Sequence, residues 1–196
     1  MITFKPIEKE DLPLLKQWRN SDCVRNYVRE YRLLTDSDQE TWYSSYISSR
    51  RKSDFDQEIM IMSLEIETGF STTPLELEIH KIISNRQIGV GGFTSIQWRN
   101  QKAELTFYVA PEGRYSVDGS IEKSLMYLSL KELLKKGFYE FNFHKIYWPV
   151  FGHDVNLATY QSIFKTEAVL KEEYFWNGKY YDRLYLSLLR SEFDKL

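Results

Sequence analysis

Hydrophobic and polar residues follow patterns near the start of this chain that predict a strand followed by two helices. The stretch ITFKPI alternates as a short strand, and Leu12, Leu15 and Trp18 then recur at helical spacing. Thr35 with Asp38 forms a capping-box-like start for a second amphipathic helix. The apolar face of that helix comprises Trp42, Tyr43, Tyr46 and Ile47.

The middle of the chain alternates with the period of strands. Residues 58–67 and 75–83 predict two strands, and SNRQ resembles a hairpin tip that leads into IGVGGFTSIQW. Another strand, KAELTFYVA, spans residues 102–110. Residues 58–110 are therefore expected to form a meander of antiparallel strands.

The strongest helical pattern lies in SIEKSLMYLSLKELLKKGF, residues 120–138, where Gly137 predicts the end of the helix. HKIYWPVF, residues 144–151, is apolar on both faces and predicts a buried strand. A right-handed crossover through the helix should place this strand parallel to residues 102–110. A short helix in NLATYQSIF and a hairpin at Asn177-Gly178 follow.

Together these elements predict an α/β (α+β) fold, a single domain over residues 1–196 with a mixed, mostly antiparallel sheet flanked by helices. The chain has 196 residues, of which 42% are hydrophobic, so it can bury a sizeable core. Its 26 basic and 28 acidic residues give a net charge of −2, which favours neither a nucleic acid nor an anionic membrane as partner. The opening residues lack an apolar run behind basic ones, and the sequence has no stretch long and apolar enough to span a membrane, so a cytoplasmic protein is expected.

Two reactive residue types have little support as functional groups. The single cysteine, Cys23, could be a nucleophile, but its apolar neighbours favour a buried small side chain. His80, His144 and His153 lack paired ligand spacing, so no metal site is expected.

The segment FYVAPEGRYSVDGSIEKSL, residues 107–125, runs from a strand through a small polar loop into a helix. Main-chain N–H groups in such a loop, backed by a helix N-terminus, can receive an anion such as phosphate or pyrophosphate. The sequence therefore predicts an anion site between the strand and the helix.

Four segments of the chain are notable for their order and spacing: EKEDLPLLKQWRNSDCVRNYV, QIGVGGFTSIQWRNQKAELTFYVAPEGR, FHKIYWPVF and VLKEEYFWNGKYYDRLYLSLLR. Together they resemble the GNAT superfamily of acetyl-CoA-dependent N-acetyltransferases, in its ribosomal-protein, polyamine and amino-sugar branch. The resemblance covers nearly the whole chain and implies acetyl-CoA as co-substrate, a parallel strand pair splayed around it, and direct transfer to a primary amine.

The resemblance implies two catalytic residues. Glu104 matches the family's general-base glutamate, and its apolar strand is expected to raise its pKa towards neutrality. Its alternation with Leu105 and Phe107 leaves its face of the strand open, and it could instead face solvent or pair with a Lys or Arg. Tyr160 matches the tyrosine that protonates the coenzyme A thiolate, with a buried core tyrosine as the alternative.

The resemblance also implies how acetyl-CoA is held. The main chain of Phe107, Tyr108 and Val109 would pair with the pantetheine amides like an added strand. Asn156 would contact the pantetheine arm, although its spacing from Tyr160 is short and His153 or Asp154 could take that place. The remaining expected contacts come from the loop and are made by Arg114, Ser116, Gly119 and Ser120.

That loop departs from the family pattern, because Val117 replaces its first glycine and Asp118 adds negative charge. An extended helix that begins near Ser120, or a remodelled loop, is the expected consequence. A non-catalytic module that has lost tight cofactor binding is the alternative.

The implied acceptor site is rich in aromatic residues and mixed charge. This composition mildly favours an amino sugar, free or nucleotide-linked, over a polyamine or a protein N-terminus. The sequence does not choose between a monomer and a homodimer. The candidate acceptor-binding residues are Trp18, Arg19, Tyr31, Tyr174 and Trp176.

Overall fold

The computed structural model of the protein describes residues 2–50, 60–66, 87–111 and 124–196. The first part contains strand β1 (Ile2–Lys5) and helices α1 (Leu12–Asn20), α2 (Asp22–Arg25) and α3 (Asp36–Arg50). Strands β2 (Met60–Ile66), β3 (Gln87–Gln97) and β4 (Lys102–Val109) follow. The second half comprises α4 (Leu125–Lys135), β5 (Lys145–Phe151), α5 (Leu157–Gln161), β6 (Lys165–Trp176), β7 (Lys179–Leu189) and α6 (Arg190–Phe193).

The seven described strands form one sheet in the order β1-β2-β3-β4-β5-β7-β6. Within it β4 and β5 are parallel and the other paired strands are antiparallel. This confirms the predicted mixed, mostly antiparallel sheet. It also confirms that the strands before and after the long helix in the sequence are parallel to each other. The predicted strand at 75–83 and the SNRQ hairpin tip lie outside the described residues.

Helices cover both faces of the sheet. On one face, α4 buries Leu130, Leu133 and Leu134 against side chains of β4 such as Leu105. On the other face, α1 and α3 enclose a second core. Its buried members are Ile7, Leu12, Leu15, Trp18, Val90 and Ala110, together with Tyr46 of α3.

Two local signals in the sequence are confirmed, one by its hydrogen bonds and the other by its backbone angles. The main-chain N–H of Thr35 donates to Asp38 Oδ2 over 2.8 Å, and the N–H of Asp38 donates back to Thr35 Oγ1 over 3.2 Å. Asn177 and Gly178 have φ angles of 48° and 79°, the left-handed pair that a tight two-residue hairpin requires. The capping box therefore begins α3, and Asn177-Gly178 joins β6 to β7.

The expected helix start near Ser120 is wrong. Ser124 has an extended backbone, with φ −76° and ψ 142°, and its hydroxyl accepts a hydrogen bond from the Tyr127 N–H. Ser124 is therefore the N-cap, and α4 begins at Leu125.

Gly137 does not end the helix as predicted. The chain continues through a π-helical turn, Lys136–Glu140, in which Gly137 is buried. A Cβ at this position would lie 2.6 Å from Cζ of Phe93 and 2.7 Å from Cδ1 of Ile146. A side chain at residue 137 would press on two fully buried core side chains, so Gly137 acts as a packing residue rather than as a stop.

Candidate active site

The parallel strands β4 and β5 separate part-way along their length. Their register ends at Glu104 opposite Tyr147, although β4 stays paired with β3 as far as Val109 and β5 stays paired with β7 as far as Phe151. A cavity of about 300 Å³ opens at this divergence. It lies between the two strands, the segment after α2, and α5.

The alternation of β4 places Glu104 on the cavity. Ala103, Leu105, Phe107 and Val109 are buried in the core under α4. Glu104, Thr106 and Tyr108 lie on the opposite face, towards α1, and line the cavity. The sequence did not determine on which face of β4 Glu104 lies. The structure places it on the face towards α1, where it lines the cavity.

Glu104 is ion-paired with an arginine from a distant segment. Arg29 Nη2 donates to Glu104 Oε1 over 2.8 Å, and the side chain of Glu104 is 18% exposed. Burial and the nearby Glu104 carboxylate raise the pKa of Tyr147 on β5. Glu104 thus has the arginine partner that the sequence left as an alternative, and it also lies on the cavity wall.

Tyr160 faces the cavity from α5. Its ring packs on Trp148 with centroids 4.4 Å apart, and its hydroxyl donates to Asp154 Oδ2 over 3.2 Å. The other oxygen of Asp154 accepts from the main-chain N–H of Asn156 over 2.9 Å and from its Nδ2 over 3.0 Å. Asp154 lines the cavity beside Tyr160, whereas Asn156 holds Asp154 from behind.

The predicted acceptor residues are not brought together as one group. Trp18 is 4% exposed and belongs to the core between α1 and α3, whereas Tyr31 is 60% exposed. Tyr174 and Trp176 stack on His153, with centroid distances of 5.5 Å and 4.8 Å. Of the five residues, Arg19 lines the cavity.

Arg19 stands where two cavities meet. It lines the cavity at the strand divergence and an adjoining one of about 450 Å³ that reaches α3. Burial lowers the pKa of Arg19, partly offset by Tyr108 and Glu30, and burial raises the pKa of Tyr108. The guanidinium is therefore a partly desolvated cation on the wall.

Sequence reasoning missed Arg29 and Arg183, which also line the cavity. Arg183 lies against the ring of Phe151, 5.8 Å from its centroid. Neither arginine carries a local signal, because each reaches the cavity from a different part of the chain.

Several expectations concern residues or properties outside the cavity. Arg114, Ser116, Gly119 and Ser120 lie outside the described residues. Within the described ranges, no cluster of three His, Cys, Asp or Glu side chains could hold a metal ion. The helices in those ranges include none long and apolar enough to cross a membrane.

Solved structures resemble this chain over its whole length. Spermidine N-acetyltransferase from Vibrio cholerae, in complex with CoA and spermine, superposes with a TM-score of 0.72 at 22% identity, covering 98% of this chain and 97% of that one. The chain has the fold of these N-acetyltransferases. A chimera of the same SpeG enzyme with hSSAT gives a TM-score of 0.72 at 20% identity, with coverage of 100% and 99%.

A third structure, SpeG from Vibrio cholerae in complex with manganese ions, gives a TM-score of 0.67 at 21% identity, with coverage of 99% and 95%. No protein-family model matches the chain, and no curated protein matches it in sequence. The GNAT-like fold expected from the order of the sequence segments is confirmed by these superpositions.

Proposed function

We propose that the protein is an acetyl-CoA-dependent N-acetyltransferase that acts by direct transfer on the primary amine of a small molecule, with the whole chain as one catalytic domain. The observation that carries the proposal is the cavity at the divergence of β4 and β5, with Glu104 on one wall and Tyr160 on the other. Whole-length likeness to spermidine N-acetyltransferases supports it.

The divergence suits the pantetheine arm of acetyl-CoA. Beyond Glu104, the edge of β4 that faces β5 has no register partner in β5, so its main chain from Phe107 to Val109 can pair with amide groups like an added strand. Phe107, Trp148 and Val150 supply apolar wall along this path. Asp154, which accepts hydrogen bonds from Asn156, follows at the cavity end, and Arg114, Ser116, Gly119 and Ser120 are the proposed pyrophosphate contacts.

Glu104 and Tyr160 divide the proton transfers. The amine nitrogen attacks the thioester carbonyl and its proton passes, through a water, to the Glu104 carboxylate. The C–S bond then breaks, and the Tyr160 hydroxyl donates its proton to the departing thiolate. Tyr160 must turn its O–H from Asp154 towards the sulfur for this step, and its ring can stay packed on Trp148 as it does so.

The acceptor class is less well defined than the reaction. The aromatic content of the sequence favoured an amino sugar, but the structural neighbours act on spermidine and so favour polyamines. Polyamines are therefore the first acceptors to test.

Calorimetric titration with acetyl-CoA tests the first half of the proposal, and coenzyme A lacking its 3′-phosphate serves as the comparison ligand. Micromolar binding is expected, followed by release of free thiol when spermidine, spermine or putrescine is added. Glucosamine tests the amino-sugar alternative in the same assay. A folded sample that binds no acetyl-CoA would overturn the proposal and favour a non-catalytic module.

A further inference from the structure

Arg19 occupies a central position on the acceptor side of the cavity. It lies in the last turn of α1, and the two cavities that it separates also share Glu30, Thr106 and Tyr108. Thr106 and Tyr108 follow Glu104 on the same face of β4. A molecule that presents its amine to Glu104 can therefore extend along this face towards Arg19.

The guanidinium of Arg19 is incompletely hydrogen-bonded. Its Nη2 reaches the main-chain oxygen of Glu30 at 3.4 Å, a long contact. Its Nη1 is buried and has no hydrogen-bond partner among the described residues. The salt bridges formed within the described ranges do not include Arg19.

The carboxylates that line the same cavity are held by other groups. Glu104 pairs with Arg29, and Asp154 accepts hydrogen bonds from Asn156 and Tyr160. Glu30 accepts a hydrogen bond from Nε of Arg32 over 2.5 Å. Glu30 partly offsets the effect of burial on the pKa of Arg19, but its carboxylate is bound to Arg32, and no carboxylate on the described wall forms a hydrogen bond or ion pair with the Arg19 guanidinium.

A partly desolvated cation with a buried, unsatisfied donor is costly, and the partner that best offsets that cost is an anion. The planar fork of a guanidinium matches a carboxylate through two parallel N–H···O bonds. A polyamine would bring a further positive charge to this position, which would repel Arg19.

We propose that Arg19 binds a carboxylate of the acceptor, so that the substrate is an amino-acid-like molecule with a primary amine at Glu104 and a carboxylate at Arg19. This inference rests on the proposed acetyltransferase activity and narrows its acceptor class. Arg19 is then a specificity-determining residue, since it contacts a part of the substrate remote from the reacting nitrogen.

Two matched pairs of amines test the inference, because the members of each pair differ only by a carboxylate. Ornithine is compared with putrescine, and lysine with cadaverine, under saturating acetyl-CoA. The member with the carboxylate is expected to have a kcat/KM higher by about 10- to 100-fold, the effect of one hydrogen-bonded charge pair, and the gain should appear in KM. Equal or higher kcat/KM for the diamines would overturn the inference and leave the proposed function standing.

Variants assign the preference to the guanidinium. Arg19→Gln should bring the ratio of kcat/KM within each pair close to one, and Arg19→Lys, which keeps the charge but loses the fork, should lower it in part. Arg25→Gln is the matched control, since Arg25 pairs with Asp22 on α2 and does not line the cavity. A wild-type ratio in both Arg19 variants would overturn the assignment.

Circular dichroism and acetyl-CoA titration show whether each variant is folded and competent. If Arg19→Gln does not fold, the Arg19→Lys ratio still decides. If the wild-type protein binds acetyl-CoA but acetylates neither member of either pair nor any polyamine, the proposed function fails and this inference fails with it.

Discussion

The Nη2 of Arg29 lies 2.8 Å from Oε1 of Glu104, although the two residues are 75 positions apart in the chain. Arg29 is 70% exposed at the cavity mouth, whereas Glu104 is 18% exposed. A protonated amine that approaches Glu104 must therefore compete with a guanidinium already bound to the same oxygen. The position of Arg29 Nη2 marks where a cationic group of the acceptor can be held.

Glu104→Gln keeps the size of the side chain and removes the proton acceptor. A general base contributes on the order of 100- to 10,000-fold, so kcat/KM should fall by at least about 100-fold and its pH dependence should flatten. The fall in kcat/KM and the change in its pH dependence are both measured by initial rates of thiol release between about pH 6 and about pH 9, around the neutral range in which general bases operate. Glu140→Gln, an exposed residue paired with Lys136, is the control, and unchanged kinetics in Glu104→Gln would reject its role.

Arg29→Gln should strengthen the binding of the acceptor, because it removes the guanidinium that competes with the acceptor amine for Glu104. Exposed ion pairs are worth at most about 1 kcal/mol, so loss of the competing guanidinium should lower the acceptor KM by about two- to fivefold. The effect should be largest at low ionic strength. Steady-state kinetics with Arg25→Gln as the control measure it, and a raised KM would show that Arg29 binds the acceptor instead of competing with it.

Tyr160→Phe removes the hydroxyl and keeps the ring on Trp148. We expect kcat to fall by about 100-fold or more while the affinity for acetyl-CoA stays nearly unchanged, because the lost group acts on the leaving thiolate. Single-turnover rates and calorimetry separate the two effects. Tyr180→Phe, at a 64% exposed position, is the matched control, and an intact rate in Tyr160→Phe would exclude the acid role.

The elements of this fold could be predicted because their signals are local. The spacing of Leu12, Leu15 and Trp18 predicts the buried face of α1, and the helix between two apolar strands predicts the parallel pair. The cap at Thr35 and the turn at Asn177 each depend on residues within one turn of the chain.

The candidate site could be predicted only in part because it is assembled from distant segments. The alternation along β4 shows that Glu104 and Leu105 lie on opposite faces of the strand. It does not show which of these faces packs against α4. The Arg29 partner of Glu104 and the incomplete bonding of Arg19 depend on where α1 and the segment after α2 pack. Gly137 shows the same limit of sequence-based prediction. A glycine is typical both of a helix end and of a close packing contact, and the sequence does not distinguish the two.

Gly137→Ala should destabilise the protein although alanine is the better helix former. The new Cβ would meet Phe93 and Ile146 at 2.6 Å and 2.7 Å, and overpacking of this kind costs about 1–3 kcal/mol. Urea unfolding measures the loss. Gly178→Ala is the contrast, because its Cβ meets open space and its cost of about 1–2 kcal/mol arises from a φ of 79°. A Gly137→Ala protein as stable as the wild type would show that the core can move aside.

The ionised carboxylate of Asp38 makes part of the stability of the protein depend on pH. The hydrogen bond from Arg32, followed by those from Thr35, lowers the pKa of Asp38 below its ordinary value of 3.8. A carboxyl whose pKa is lower in the folded state contributes stability above its unfolded pKa and loses it as the pH falls through the folded value. The contribution should therefore be constant above about pH 5 and decline below about pH 4.

Asp38→Asn isolates this contribution, because the protonated acid and the amide have nearly the same shape and neither carries charge. The wild type should melt at a higher temperature than Asp38→Asn at pH 7, and the two melting temperatures should converge as the pH is lowered towards 2. Thermal unfolding followed by circular dichroism in a series of buffers measures the difference. A difference that persisted undiminished at the lowest pH would mean that the charge of Asp38 and its ion pair with Arg32 add nothing to stability, and that the amide is simply a poorer hydrogen-bonding partner at this position.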